Sequence, residues 1–164
     1  MKKVICFGGS FNPPHVAHFE IAKVALKITQ ANELWFIPSL MNPFKQNDSF
    51  DFEKRAQLVE AMIKGFKKFK VCRIEAELET PSYTINTMLA LIKQYPSISF
   101  SYLIGSDQML KFDGWKDAEQ LKKLIPIYVY RRNKEDMINK PFIEINSERL
   151  FDISSTRIRE GKSK

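Results

Sequence analysis

Gly8-Gly9-Ser10-Phe11-Asn12-Pro13-Pro14-His15-Val16-Ala17-His18 is the stretch whose reading decides the fold. It follows Val4-Ile5-Cys6-Phe7, an unbroken apolar run of the kind that forms a buried strand. It leads into Phe19 to Leu26, whose apolar residues recur at helical spacing. The segment therefore reads as strand, Gly/Pro turn and helix, and both histidines of the protein stand where that helix begins. Histidines three apart in a first helical turn share one face. The unpaired N–H groups of that turn and the helix dipole favour an anion there. Glycines let backbone approach a ligand closely, and prolines stiffen the entry. The simplest chemistry for this combination is a phosphate cradle with two imidazole donors. Two plainer readings stand beside it: solvated surface histidines, and a His-x-x-His zinc site. The latter has no thiol pair or further histidine to complete a structural set, so no metal ligands are assigned. The dinucleotide fingerprint Gly-x-Gly-x-x-Gly and the Walker A loop are both absent.

Outward from this loop, strand and helix patterns alternate. Leu34 to Pro38 reads as a second strand, 42–48 as a polar loop, Phe52 to Phe66 as a helix with lysines outside, and Phe69 to Cys72 as a third strand. Glu75 to Glu79 alternates and leads into Pro81-Ser82-Tyr83. Thr84 to Tyr95 is a helix stopped by Pro96, Ser99 to Ile104 a fourth strand, Ala118 to Leu124 helical, Ile127 to Tyr130 a fifth strand, and 142–145 a sixth. That order predicts an α/β fold: a doubly wound, Rossmann-like parallel sheet with helices on both faces, in one domain over residues 1–164. Ligands of such sheets bind at the carboxyl ends of the strands.

Composition bounds the rest. The 164 residues are 44% hydrophobic, enough for one real core. No apolar run approaches the ~20 residues of a membrane span, and no signal-peptide pattern follows Met1-Lys2-Lys3. Cys6 and Cys72 lie in apolar runs and read as reduced core residues, which predicts a cytoplasmic protein without a membrane partner. The formal charge of +7 invites a nucleic-acid reading. The lysines, however, are spread over several helices with no long block of like charge, and a site for two phosphorylated substrates suits the same balance. No nucleic-acid partner is predicted.

The residues Gly9 to His18 resemble the signature of nucleotidyltransferases with a His-x-Gly-His motif, and within these the bacterial nicotinate-nucleotide adenylyltransferases. Three further stretches match in order: Ser82-Tyr83-Thr84, then Ile104-Gly105-Ser106-Asp107 with Trp115 downstream, then Ile153-Ser154-Ser155-Thr156-Arg157-Ile158-Arg159. By residue type alone, the last is an N-cap with surface arginines or a phosphate grip, and Gly105 to Asp107 is a helix cap. The resemblance implies adenylyl transfer from ATP to nicotinate mononucleotide, with Mg²⁺ on the phosphates. It implies an ATP site of Gly8, Gly9, Ser10, Phe11, His15, His18, Gly105, Asp107, Ser155, Thr156 and Arg159. It implies a mononucleotide site of Ser10, Lys45, Ser82, Tyr83, Thr84 and Trp115, the last stacking on the pyridine ring. His15, His18, Lys45 and Arg159 are the implied catalytic groups. The chain departs from the family pattern at Ala17, which replaces the usual Gly, and at Phe44, where a His usually precedes the lysine. It also stops soon after Arg159, where relatives continue into a further helix. A sister enzyme using nicotinamide mononucleotide or phosphopantetheine is the alternative within the enzyme class, a basic nucleic-acid-binding module the alternative from another class, and oligomeric state is left open.

Overall fold

In β1 (Lys2–Gly9), Val4, Ile5, Cys6 and Phe7 are all buried, so both faces of this strand are covered. A strand without a polar side belongs in the middle of a parallel sheet. The computed structural model describes residues 1–40, 50–133 and 135–145, and in it β1 is central. The other strands are β2 (Glu33–Pro38), β3 (Phe69–Val71), β4 (Ile98–Gly105), β5 (Ile127–Tyr130) and β6 (Ile143–Ile145). They form one six-stranded sheet in the order β3-β2-β1-β4-β5-β6, every pair parallel. Cys6 is level with Trp35 on one side and Tyr102 on the other.

Among the described residues five helices cover the two faces: α1 (Val16–Thr29), α2 (Phe52–Met62), α3 (Thr84–Gln94), α4 (Ser106–Leu110) and α5 (Ala118–Leu124). The pleat of β1 sorts the core. Ile5 and Phe7 pack with Ile21, Ala22 and Ala25 of α1 and Val59 of α2. Val4 and Cys6 pack with Ile85, Met88 and Leu91 of α3 and Leu121 of α5. The strand order reverses between β1 and β4, and the crevice outside their carboxyl ends is where such sheets bind ligands.

Three local expectations change. The second helix ends at Met62 rather than Phe66, because the chain turns at Gly65 in a left-handed conformation (φ 88°). The alternating Glu75 to Glu79 forms no strand; Ile74–Glu77 is a 3₁₀ turn whose Glu75 side chain points inward. Cys72 lies just past β3 and is half-buried, so only Cys6 is a core cysteine; both are free thiols.

Candidate active site

The turn after β1 is held from outside itself. Phe11 takes a left-handed backbone (φ 50°), which turns its ring inward against Phe7, Phe36 and His18, with centroids 5.8, 5.6 and 5.1 Å away. From α2, the buried Arg55 donates through Nη1 to the Ser10 carbonyl (2.7 Å) and through Nε to the Phe50 carbonyl (3.0 Å). The Phe50 N–H in turn donates to Oδ1 of Asn12 (2.9 Å).

With the turn fixed, His15 becomes the N-cap of α1 and His18 its third residue. The His15 backbone N–H donates to Nδ1 of His18 (3.1 Å), and the two rings stack at 3.7 Å. Nδ1 of His18 is therefore an acceptor, and the neutral imidazole carries its proton on Nε2. Burial, then the neighbouring His15, then Arg132 push His18 down to about 3. Burial and Arg132 lower His15 as well. At neutral pH the pair is uncharged, with His18 Nε2–H as a fixed donor.

This pair lines a cleft of about 640 Å³ with Gly8 to Pro13, Asp107, Gln108, Tyr130 and Arg132. At the exits of β4 and β5 in the same cleft, Nε of Arg132 pairs with Asp107 (3.2 Å) and its Nη2 donates to the Tyr130 hydroxyl (3.1 Å). The Arg132 N–H donates to the buried Ser106 hydroxyl (2.8 Å), which also bonds Asp136. Ser106 thus ties the exit of β5 to the exit of β4. Gly105 is needed for closeness: a Cβ there would stand 2.6 Å from Asp107 Oδ1 and 2.9 Å from Tyr130 Cζ. Its N–H donates to the Gln108 side chain (3.1 Å).

A smaller pocket of about 80 Å³ opens on the other side of Gly8 and Gly9, sharing with the cleft those glycines and Gln108. Ser82, Tyr83, Thr84, Trp115 and Lys116 line it, backed by Ser39, Glu75 and Tyr102. Tyr83 caps α3 without a side-chain bond, so the first amide groups of that helix remain open to a ligand. Trp115 stacks on Phe112 (4.7 Å) and also borders the pocket, combining a core contact with a partly exposed ring. The Lys116 ammonium lies 4.9 Å from the Tyr83 ring centre. Tyr102 comes so near that a Cβ on Gly8 would stand 1.9 Å from its oxygen.

The fold thus brings Gly8, Gly9, Ser10, Phe11, His15, His18 and Asp107 to one cleft, and Ser82, Tyr83, Thr84 and Trp115 to the adjoining pocket. Gly105 sits beneath Asp107, and the Phe11 ring serves as a buried wall. Lys45, Ser155, Thr156 and Arg159 lie outside the described residues. Sequence reasoning missed Arg132, Tyr130, Gln108, Tyr102, Glu75 and Lys116. None sits in a motif; only their place just after or inside a strand or turn at the carboxyl rim marks them. Among the described residues no three His, Cys, Asp or Glu side chains gather as a metal set. Nor is any helix there long and apolar enough to cross a membrane.

Comparison with known proteins matches residues 6–161 to the family model described as cytidylyltransferase-like. A protein of Bacteroides fragilis is 38% identical over 161 residues, covering 94% of this chain and 79% of the relative. One of Cytophaga hutchinsonii is 38% identical over 163 residues, covering 96% and 84%. Both bear the name "Probable nicotinate-nucleotide adenylyltransferase". Among solved structures, the nicotinic acid mononucleotide adenylyltransferase of Plasmodium falciparum complexed with NaAD superposes with a TM-score of 0.78. It is 20% identical, with 98% of this chain and 83% of that one covered, a likeness that carries the fold.

Proposed function

The chain belongs to the cytidylyltransferase-like family, among its nicotinate-nucleotide adenylyltransferases, and we infer that it transfers the adenylyl group of ATP to nicotinate mononucleotide, giving deamido-NAD and pyrophosphate in NAD biosynthesis. The observation that carries this reading is the meeting of two unlike pockets across Gly8 and Gly9. The larger one, with neutral imidazole donors and Arg132, suits the polyphosphate of ATP. The smaller one, with open helix amides, Lys116 and the Trp115 ring, suits a flat ring bearing a carboxylate.

In this reading an oxygen of the mononucleotide phosphate attacks the α-phosphorus of ATP in line, the bond from that phosphorus to the β-phosphate bridging oxygen breaks, and pyrophosphate leaves. The protein supplies position and charge stabilisation, and no side-chain nucleophile is needed. His18 donates from Nε2 to the phosphates and His15 stands beside it. Arg132 adds positive charge to the same cleft. Mg²⁺ enters as part of the nucleotide substrate, carried on its phosphates, as is usual for this small and strongly hydrated ion. Lys45 is assigned to the mononucleotide phosphate, and Ser155, Thr156 and Arg159 to the triphosphate, on the family resemblance alone.

The test is pyrophosphate release from ATP with nicotinate mononucleotide, nicotinamide mononucleotide and phosphopantetheine offered side by side. Nicotinate mononucleotide is expected to be turned over fastest. Equal turnover of the two pyridine mononucleotides would overturn the carboxylate assignment, and release with phosphopantetheine alone would overturn the whole reading.

A further inference from the structure

We propose that Glu75 is the positioning residue of the acceptor pocket, its carboxylate gathering the end of β2, the Ser82–Thr84 turn and the first turn of α3 into the shape that receives the mononucleotide. The inference rests on the functional reading above and deepens it.

In sequence Glu75 is one acid among three, with Glu77 and Glu79 nearby, and such a run usually faces water. Glu77 and Glu79 do so, whereas Glu75 is only 7% exposed. A buried carboxylate is tolerated when its lone pairs are answered by donors. Here Oε1 accepts from the Leu40 N–H (3.2 Å) and Oε2 from the Thr87 hydroxyl (2.8 Å). The Ser82 hydroxyl is a third hydrogen-bond partner, and Arg55 adds positive charge. Burial raises the proton affinity of Glu75, and these partners work against that rise.

The three partners come from three separate segments. Leu40 follows β2, Ser82 precedes α3, and Thr87 lies within α3. One carboxylate therefore ties the end of β2 to the turn before α3, and with them Ser39 and Ser82, which both line the pocket. The arrangement also constrains recognition. A serine hydroxyl has a single proton, and that of Ser82 is directed to Glu75. The donors left for a substrate carboxylate then include, beside Lys116, the open amides at the start of α3. Their aim depends on where Glu75 holds the turn.

The experiment measures KM for each substrate in Glu75→Ala, Glu75→Gln and Thr87→Val. Glu75→Ala is expected to raise the mononucleotide KM at least tenfold while the ATP KM stays within about twofold. Glu75→Gln should recover most of that loss. Its carbonyl still accepts from Leu40, and its amide can donate to Thr87, whose proton then turns to the Tyr83 carbonyl 3.3 Å away. A rise shared equally by both substrates, or no rise for the mononucleotide, overturns the proposal. If Glu75→Ala does not fold, Thr87→Val decides on the same split: at least a threefold rise confined to the mononucleotide supports it, and a shared or absent rise overturns it. Wild-type enzyme that fails to turn over nicotinate mononucleotide would instead bring down the functional reading.

Discussion

His18 is the residue at which the local fold and the proposed chemistry are least separable. Its Nδ1 accepts the His15 amide proton, so its only free proton points outward on Nε2. A donor locked in that way needs no rearrangement as charge builds on the phosphates. His18→Ala is therefore expected to lower kcat about 100-fold or more, with a smaller effect on the ATP KM; steady-state kinetics that return a wild-type kcat would remove His18 from the chemistry. The same environment links the residue to stability. In the unfolded chain a histidine titrates near 6.5, and in the folded protein His18 is pushed down to about 3. Between those values the unfolded chain binds the extra proton. The stabilisation is complete above pH 6.5 and is lost as pH falls through the window, at up to about 1.4 kcal/mol per pH unit. Urea midpoints followed from pH 7 to 4.5 should drop more steeply for wild type than for His18→Gln, in which this proton uptake is gone.

Among the elements, the short turn ending at Trp115 makes the sharpest contribution. Phe112–Gly114 is a 3₁₀ turn that lays Trp115 on Phe112 and leaves its other side bordering the pocket of Ser82–Thr84. Stacking of a base on an aromatic side chain is worth about 1–3 kcal/mol, and the pyridine ring is taken on the same scale. Trp115→Ala should raise the nicotinate mononucleotide KM about 5- to 150-fold and leave the ATP KM nearly unchanged. A variant that loses its cooperative thermal transition would show the ring to be chiefly a core support. This turn also marks what the sequence could carry. Gly, Pro and His at close spacing announce a phosphate loop because their backbone and ring chemistry is local. The fifth strand is bounded as expected over Ile127 to Tyr130 for the same kind of reason, an apolar run between a proline and arginines. Glu75 and Arg55 gave no such signal. Each is a charged residue in a charged neighbourhood, and only the meeting of distant segments turns it inward. Arg132 and Tyr102 reach the site through strand order, which no local pattern encodes.

For the whole molecule, the arrangement of the two pockets sets the kinetic scheme. They share Gly8, Gly9 and Gln108, so both substrates can lie on the protein at once with their phosphates adjacent. Initial-rate plots with both concentrations varied should intersect, and ATP alone should leave no adenylyl group covalently attached; parallel lines would point to a relayed transfer instead. One further consequence follows from all strands running the same way. Helices α1 and α3 begin at the site, placing their positive ends there, and they finish at the opposite end with Lys27 and Lys93 in their last turns. Added to the +7 formal charge, this makes the protein an attractor for polyanions well before contact. Salt shortens the reach of that field to about 8 Å at physiological ionic strength and further above it. Nucleotide capture, read as kcat/KM, should therefore slow as salt is raised, while kcat, set once the substrates are seated, should hardly change.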